Sequence, residues 1–244
     1  MTTPSTQASL ANQLRSLGVR PGLALMVHSS LRRVGAIEGG AEAMLEALLE
    51  VLRPHGTLMM VLGADLTVPF EAKSTPVDIE EMGVLVEVFR RHAQTQVNDH
   101  AASRWGAIGP ESHALLEPIP LHDYYGPGSV LQRFTDGGGK VLRLGANEDT
   151  VTLTHWAEYL ARIPDKRRVS LRYVRADVGE QWIDSLDDTD GIRAWAEGDY
   201  FPKVWLDFLA SGRARTGPVG NVIAELFDAQ EFVAFAVDWM EHRL

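Results

Sequence analysis

The chain has 244 residues, a formal net charge of −10, 45% apolar residues and no cysteine. That is enough apolar material for a sizeable core, in one large α/β domain or two small ones. The missing cysteines exclude disulfides, thiolate metal sites and cysteine nucleophiles. The negative charge argues against a nucleic-acid backbone as partner and suits a cationic small molecule.

Ser5 to Leu17 carries Leu10, Leu14 and Leu17 at helical spacing and stops at Gly18. Leu23 to Val27 reads as a buried strand that runs into the polar His28-Ser29-Ser30. After the Gly-rich loop Gly35 to Gly40, Ala41 to Arg53 places Met44, Leu45, Leu48, Leu49 and Leu52 on one helical face, and Thr57 to Leu62 is a second buried strand. The order strand, loop, helix, strand implies a parallel βαβ unit. Residues 63–78 read as a loop, Ile79 to His92 as a helix, and residues 97–128 as irregular. Lys140 to Leu144 is a strand closed by Gly145, and Asp149 or Thr150 is expected to cap a helix running to about Ala161. Val169 to Arg175 and Gln181 to Ser185 form a hairpin. Tyr200 to Leu209 and Val219 to Phe227 are expected as short helices, and the last helix opens with a capping box, Asp228 to Glu231. No linker, composition step or repeat divides the chain, so one domain is expected over residues 1–244: α/β, with a central, largely parallel sheet flanked by helices. No apolar run approaches the ~20 residues of a membrane span. The polar start, Met1 to Gln7, lacks a secretory pattern, so a cytoplasmic location is expected.

Three segments could carry chemistry. Val27 to Gly35 leaves a strand for a helix with two hydroxyls and two guanidinium groups, a setting that suits a pyrophosphate at the carboxyl end of a parallel strand. Neither the dinucleotide nor the Walker glycine pattern is present. Asp149 to Tyr159 puts Thr152, His155 and Tyr159 on one helical face, with Glu158 one turn from His155. A neutral imidazole there could take a proton from an incoming amine, or serve only as a satisfied structural histidine. Ser185 to Gly191 holds Asp187, Asp188 and Asp190 within four residues, which fits a cation, an orienting role or a solvated turn. A calcium loop is broken at its first ligand position, where Leu186 stands. His100 lies in a loop, no histidine pair has zinc-protease spacing, and no serine sits in a hydrolase elbow.

Together these motifs resemble the aminoglycoside 3-N-acetyltransferase family. The likeness runs through Leu17 to Gly22, Val27 to Arg32, Gly39-Gly40, Gly56 to Met60, Met82 to Leu85, His100 to Ser103, Gly128 to Val130, Gly139 to Leu142, Thr152 to Glu158 and Gly217 to Gly220, in that order. The resemblance implies an α/β fold with added antiparallel strands, acetyl-CoA as donor and an aminoglycoside as acceptor; no metal is expected, since no three ligands share a plausible spacing, and the chain is expected as a monomer or homodimer. It implies acetyl-CoA contacts from His28, Ser29, Ser30, Leu31, Arg32, Val34 and Gly35, with Ser103 near the pantetheine arm. It implies His155 as general base with Asp188 in the active centre. The acceptor cleft is then expected to include Asp65, Glu71, His100, Thr152, Glu158, Asp187 and Asp190. Direct transfer within a ternary complex follows, with backbone N–H groups near Ser30 or the Thr152 hydroxyl facing the thioester carbonyl. The chain departs from the family pattern at Ala101, where proline is usual, and at Asn147-Glu148-Asp149. It is also sparsely acidic after the second strand, which bears on the acceptor.

Overall fold

The computed structural model describes residues 3–244. At its centre lies β1 (Ala24–Ser29), paired in parallel with β2 (Thr57–Val61) on one side and β5 (Lys140–Leu144) on the other. Antiparallel strands extend both flanks: β4 (Trp105–Ile108) and β3 (Gln96–Val97) beyond β2, and β9 (Val222–Asp228) and β8 (Arg215–Val219) beyond β5. A strand buried on both faces reads as a continuous apolar run, and β1 is buried from Ala24 through His28. Side chains alternate across it. Leu25 and Val27 join a core with Leu10 and Leu14 of α1 (Gln7–Leu17) and Met44 and Leu48 of α3 (Gly40–Leu52). Met26 faces the opposite core, with Phe134 of α7 (Val130–Asp136), Trp156 of α8 (Leu153–Leu160), Trp205 of α9 (Phe201–Ala210) and Phe232 of α10 (Ala229–Arg243).

The two parallel neighbours end together. Ser29 pairs with Leu144, and the Ser30 N–H donates to the Leu144 carbonyl at 2.9 Å. Chain leaves this edge through α2 (Leu31–Val34) on one side and residues 145–152 on the other. β6 (Arg168–Arg175) and β7 (Gly179–Leu186) form a separate two-stranded sheet, as the sequence leads one to expect. Tyr159 of α8 holds the end of β7, because its hydroxyl accepts the Leu186 N–H at 3.1 Å.

Several elements differ from the sequence expectation. Val219 to Phe227 is not a helix: β8 turns at Gly220-Asn221 into β9, in which Ala224, Leu226 and Phe227 are buried. Val219 and Phe227 pack inward while Ile223 is exposed, and Pro218 is tolerated because β8 is an edge strand. The expected helix Ile79 to His92 is broken into α4 (Ile79–Met82) and α5 (Val84–Arg91) by Gly83, whose φ of +84° fits neither helix. The stretch 97–128, expected as irregular, contains β4 and α6 (Ser112–Leu115). α8 begins later than expected, with Thr152 in place of Asp149 or Thr150 at its cap position. The loop 63–78 is real, and the buried Arg104 closes it. Its guanidinium donates to the carbonyls of Leu62 (2.8 Å), Thr75 (2.6 Å) and Pro76 (3.1 Å). Among the described residues no helix is long and apolar enough to cross a membrane.

Candidate active site

A cleft of about 550 Å³ opens at the carboxyl ends of β1 and β5. It is lined by His28 to Arg33, Ile79 to Val84, Tyr125, Thr152 and His155, among others. Strand ends in open α/β sheets are where ligands collect, because backbone groups are free there and helices splay apart. The two guanidinium groups do different work. Arg33 donates to the Gly145 carbonyl (2.9 Å) and to Asn147 Oδ1 (2.6 Å), fastening the β5–α8 loop. Arg32 is exposed in the cleft wall and carries no ion pair among the described residues. Beneath them His28 is 4% exposed. Its burial, and then the charge of Arg143 beside it on β5, hold its pKa down at about 3, so it is neutral at any working pH.

His155 and Glu158 lie one turn apart on α8, and their side chains meet. Nδ1 of His155 is 2.9 Å from Glu158 Oε2, and Glu158 is 1% exposed. The ring is clamped by Tyr125, stacked at 4.8 Å and 5° between planes, and by Phe201, tilted at 4.9 Å. Burial alone would lower the imidazole pKa. The Glu158 hydrogen bond and charge, with the charges of Asp188 and Asp199, outweigh burial and hold it above its ordinary value. With Nδ1–H committed to the carboxylate, Nε2 is the nitrogen left to accept a proton. Glu158 itself is committed elsewhere too, for Tyr200 donates its hydroxyl to Oε1. Glu158 therefore orients the imidazole, and, expected among the acceptor contacts, it lies buried behind the ring and does not line the cleft.

Asp188 comes to the same region. Its Oδ2 accepts from the Tyr124 hydroxyl at 2.5 Å, and its charge acts on His155, Tyr125 and Tyr173. Asp190 is exposed on the same turn. Asp187 is spent locally: Oδ1 accepts the N–H groups of Thr189 (3.0 Å) and Asp190 (2.9 Å).

Other expected contacts do not line this cleft. Val34 is 1% exposed in the apolar core, and Gly35 packs against Asn221. Ser103 is 1% exposed, with its hydroxyl accepting from Trp105 Nε1 at 2.9 Å. His100 is 4% exposed and both ring nitrogens are engaged, Nδ1 by the Ser103 N–H and Nε2 by the Leu121 carbonyl, so it braces a loop. Asp65 Oδ1 takes both the N–H and the hydroxyl of Thr67. Glu71 lies in a different groove, with Lys73, Asp99 and Arg175. Conversely Tyr124, Tyr125, Tyr200 and Phe201 come into the site unannounced. The only sequence signal was two aromatic pairs, Tyr124-Tyr125 and Tyr200-Phe201, each beside a turn or helix start. Among the described residues no three His, Asp or Glu side chains converge as metal ligands.

The comparisons with known proteins agree with this geometry. The family model described as aminoglycoside 3-N-acetyltransferase matches residues 26–241. Aminoglycoside N(3)-acetyltransferase III of Serratia marcescens is 34% identical over 97% of this chain and 97% of its own length. Among solved structures, AAC-IIIb in a binary complex with CoASH superposes with a TM-score of 0.93 at 34% identity, over 98% of this chain and 97% of that one. AAC-VIa bound to sisomicin gives 0.90 at 30% identity, over 98% of both chains. The strand-end cleft, the His155–Glu158 pair and the full-length match lead to one conclusion: the chain belongs to the aminoglycoside 3-N-acetyltransferase family.

Proposed function

We propose that this chain acetylates the 3-amine of an aminoglycoside, with His155 as general base and direct transfer from acetyl-CoA. The observation that carries the reading is His155 itself: a clamped imidazole, oriented by a buried carboxylate, in the wall of the cleft that begins at the β1 strand end. Acetyl-CoA supplies the acyl group as a thioester. Ser29, Ser30, Leu31 and the exposed Arg32 hold that donor, an arginine and hydroxyls suiting its phosphates. His155 Nε2 takes the proton that the amine gives up as its nitrogen bonds to the carbonyl carbon, and the carbon–sulfur bond breaks to release CoA as a thiolate that takes up a proton from the imidazolium, restoring the neutral base. Glu158 stabilises the imidazolium that results. The Ser30 N–H is already spent on Leu144, whereas the Thr152 hydroxyl lines the cleft without capping its helix, so Thr152 faces the carbonyl oxygen where charge develops. Asp188 and Asp190 face the cationic acceptor.

One observation favours an amine with fewer charges as the preferred acceptor. Asp65, Glu71 and Asp187 are bound into local turns or lie elsewhere, which leaves Glu80 and Glu81 of the cleft, with Asp188 and Asp190, as the carboxylates for a cationic acceptor, fewer than the sequence leads one to expect. Thiol release from acetyl-CoA, with a panel of aminoglycosides and simpler amines, tests both. Turnover on several aminoglycosides that drops ~10²-fold or more in His155→Ala, with CoA affinity kept, supports the main reading. CoA binding with turnover only on other amines supports the second, and no CoA binding at all overturns both.

A further inference from the structure

We propose that Tyr200 is a positioning residue for the base, whose hydroxyl fixes Glu158 against His155 and ties that pair to the turn carrying Asp188. This rests on His155 acting as the base. Tyr200 is 2% exposed and stands immediately before α9. Its hydroxyl donates to Glu158 Oε1 and accepts the Ile192 N–H at 2.9 Å, so both of its hydrogen-bonding roles are used inside the protein. The next residue, Phe201, packs on the His155 ring, so one dipeptide touches both members of the pair. On the other side of the hydroxyl lies Gly191, with φ of +73°. A Cβ there would come within 2.6 Å of the Tyr200 oxygen, so glycine is required for the close approach. Arg167 locks the same turn by donating to the carbonyls of Gly191 and Asp190. A continuous set of contacts thus runs from the turn of Asp187 to Asp190 through Gly191, Ile192 and Tyr200 to Glu158 and His155.

The groups facing this pair are few. His155 faces Glu158 on its own helix, Asp188 from the turn after β7, Asp199 from before α9 and the Tyr125 ring, and Lys166 faces Glu158. With the Tyr200 hydroxyl removed, His155 becomes the remaining side-chain hydrogen-bond donor to a buried carboxylate. It then holds its proton to higher pH and is charged, hence idle, over more of the working range.

The test uses the full chain as wild type, Tyr200→Phe and Gly191→Ala, the second displacing the hydroxyl without deleting it. ¹⁵N-imidazole NMR titration of His155 is paired with the pH dependence of acetyl transfer. The expected result is an upward shift of the His155 titration by ~0.5–1 pH unit in both variants. At neutral pH kcat is expected to fall about threefold to tenfold, with KM for acetyl-CoA unchanged. Should Tyr200→Phe fail to fold, Gly191→Ala carries the test. A His155 titration within ~0.2 unit of wild type in the folded variants overturns the proposal and leaves the base intact. A wild-type rate profile that ignores the His155 titration overturns the base reading, and the assignment of Tyr200 with it.

Discussion

Replacing Glu158 with glutamine removes one charge and almost no volume. The amide can still accept from His155 Nδ1–H and still meet the Tyr200 hydroxyl, so the ring stays between Tyr125 and Phe201. What changes is the proton affinity of the imidazole. At 2.9 Å, with the carboxylate 1% exposed, the contact is a charge-assisted hydrogen bond shielded from water. Such bonds to charged groups are worth about 1.5–3 kcal/mol, or roughly 1–2 pH units of imidazole pKa. In the native site, Glu158, Asp188 and Asp199 together outweigh burial. Without Glu158, burial dominates and the pKa falls below its ordinary value. The limb of kcat/KM that rises with pH is therefore expected to move acid by about 1–2 units. The plateau is expected to drop ~10²-fold, because a weaker base would take the proton and the anion hydrogen-bonded to the imidazolium would be gone. Following CoA thiol release between acid and alkaline pH measures both. A limb that stays in place, with an unchanged plateau, would refute the pairing of His155 with Glu158 as the source of basicity.

Arg104→Lys is expected to cost about 3–5 kcal/mol in urea unfolding, since a buried cation loses most of the carbonyls that satisfy it, and to open residues 63–78 to protease; a loss under ~1 kcal/mol would count against the clamp. His28 makes acid stability measurable. It stays neutral in the folded chain down to about 3 while the unfolded chain protonates it near 6.5, so its contribution is complete above 6.5 and declines as pH falls towards 3. The slope is roughly 1.4 kcal/mol per pH unit within that window, and His28→Asn is expected to flatten it. Identical slopes for the two proteins would mean that His28 is not held neutral.

Much of the frame was legible in the sequence because it rests on local rules. The apolar run before His28, the heptad-like face of Met44 to Leu52, and the glycines at Gly18 and Gly145 mark elements by burial and backbone freedom alone. The spacing of His155 and Glu158 likewise fixes their contact, since residues three apart on a helix share a face. β9 was missed because the apolar run Val222-Ile223-Ala224 with Leu226-Phe227 suits either helix or strand, and only the neighbouring β5 edge decides. The roles of the carboxylates were likewise beyond local pattern. Asp65 and Asp187 read as acceptor contacts until the structure shows each one closing its own turn.

The sequence alone determined the α/β class, the parallel centre around β1, and the imidazole–carboxylate pair on one helix. The tertiary structure decided which aromatic rings clamp that pair, that Tyr200 reaches Glu158 from 42 residues away, and that Asp188 lies near His155 while Glu71 lies in another groove. The physical reason is range. Helical periodicity and strand burial are written in neighbours a few residues apart, whereas a site assembled at strand ends depends on which distant loops the packed core brings to the same edge.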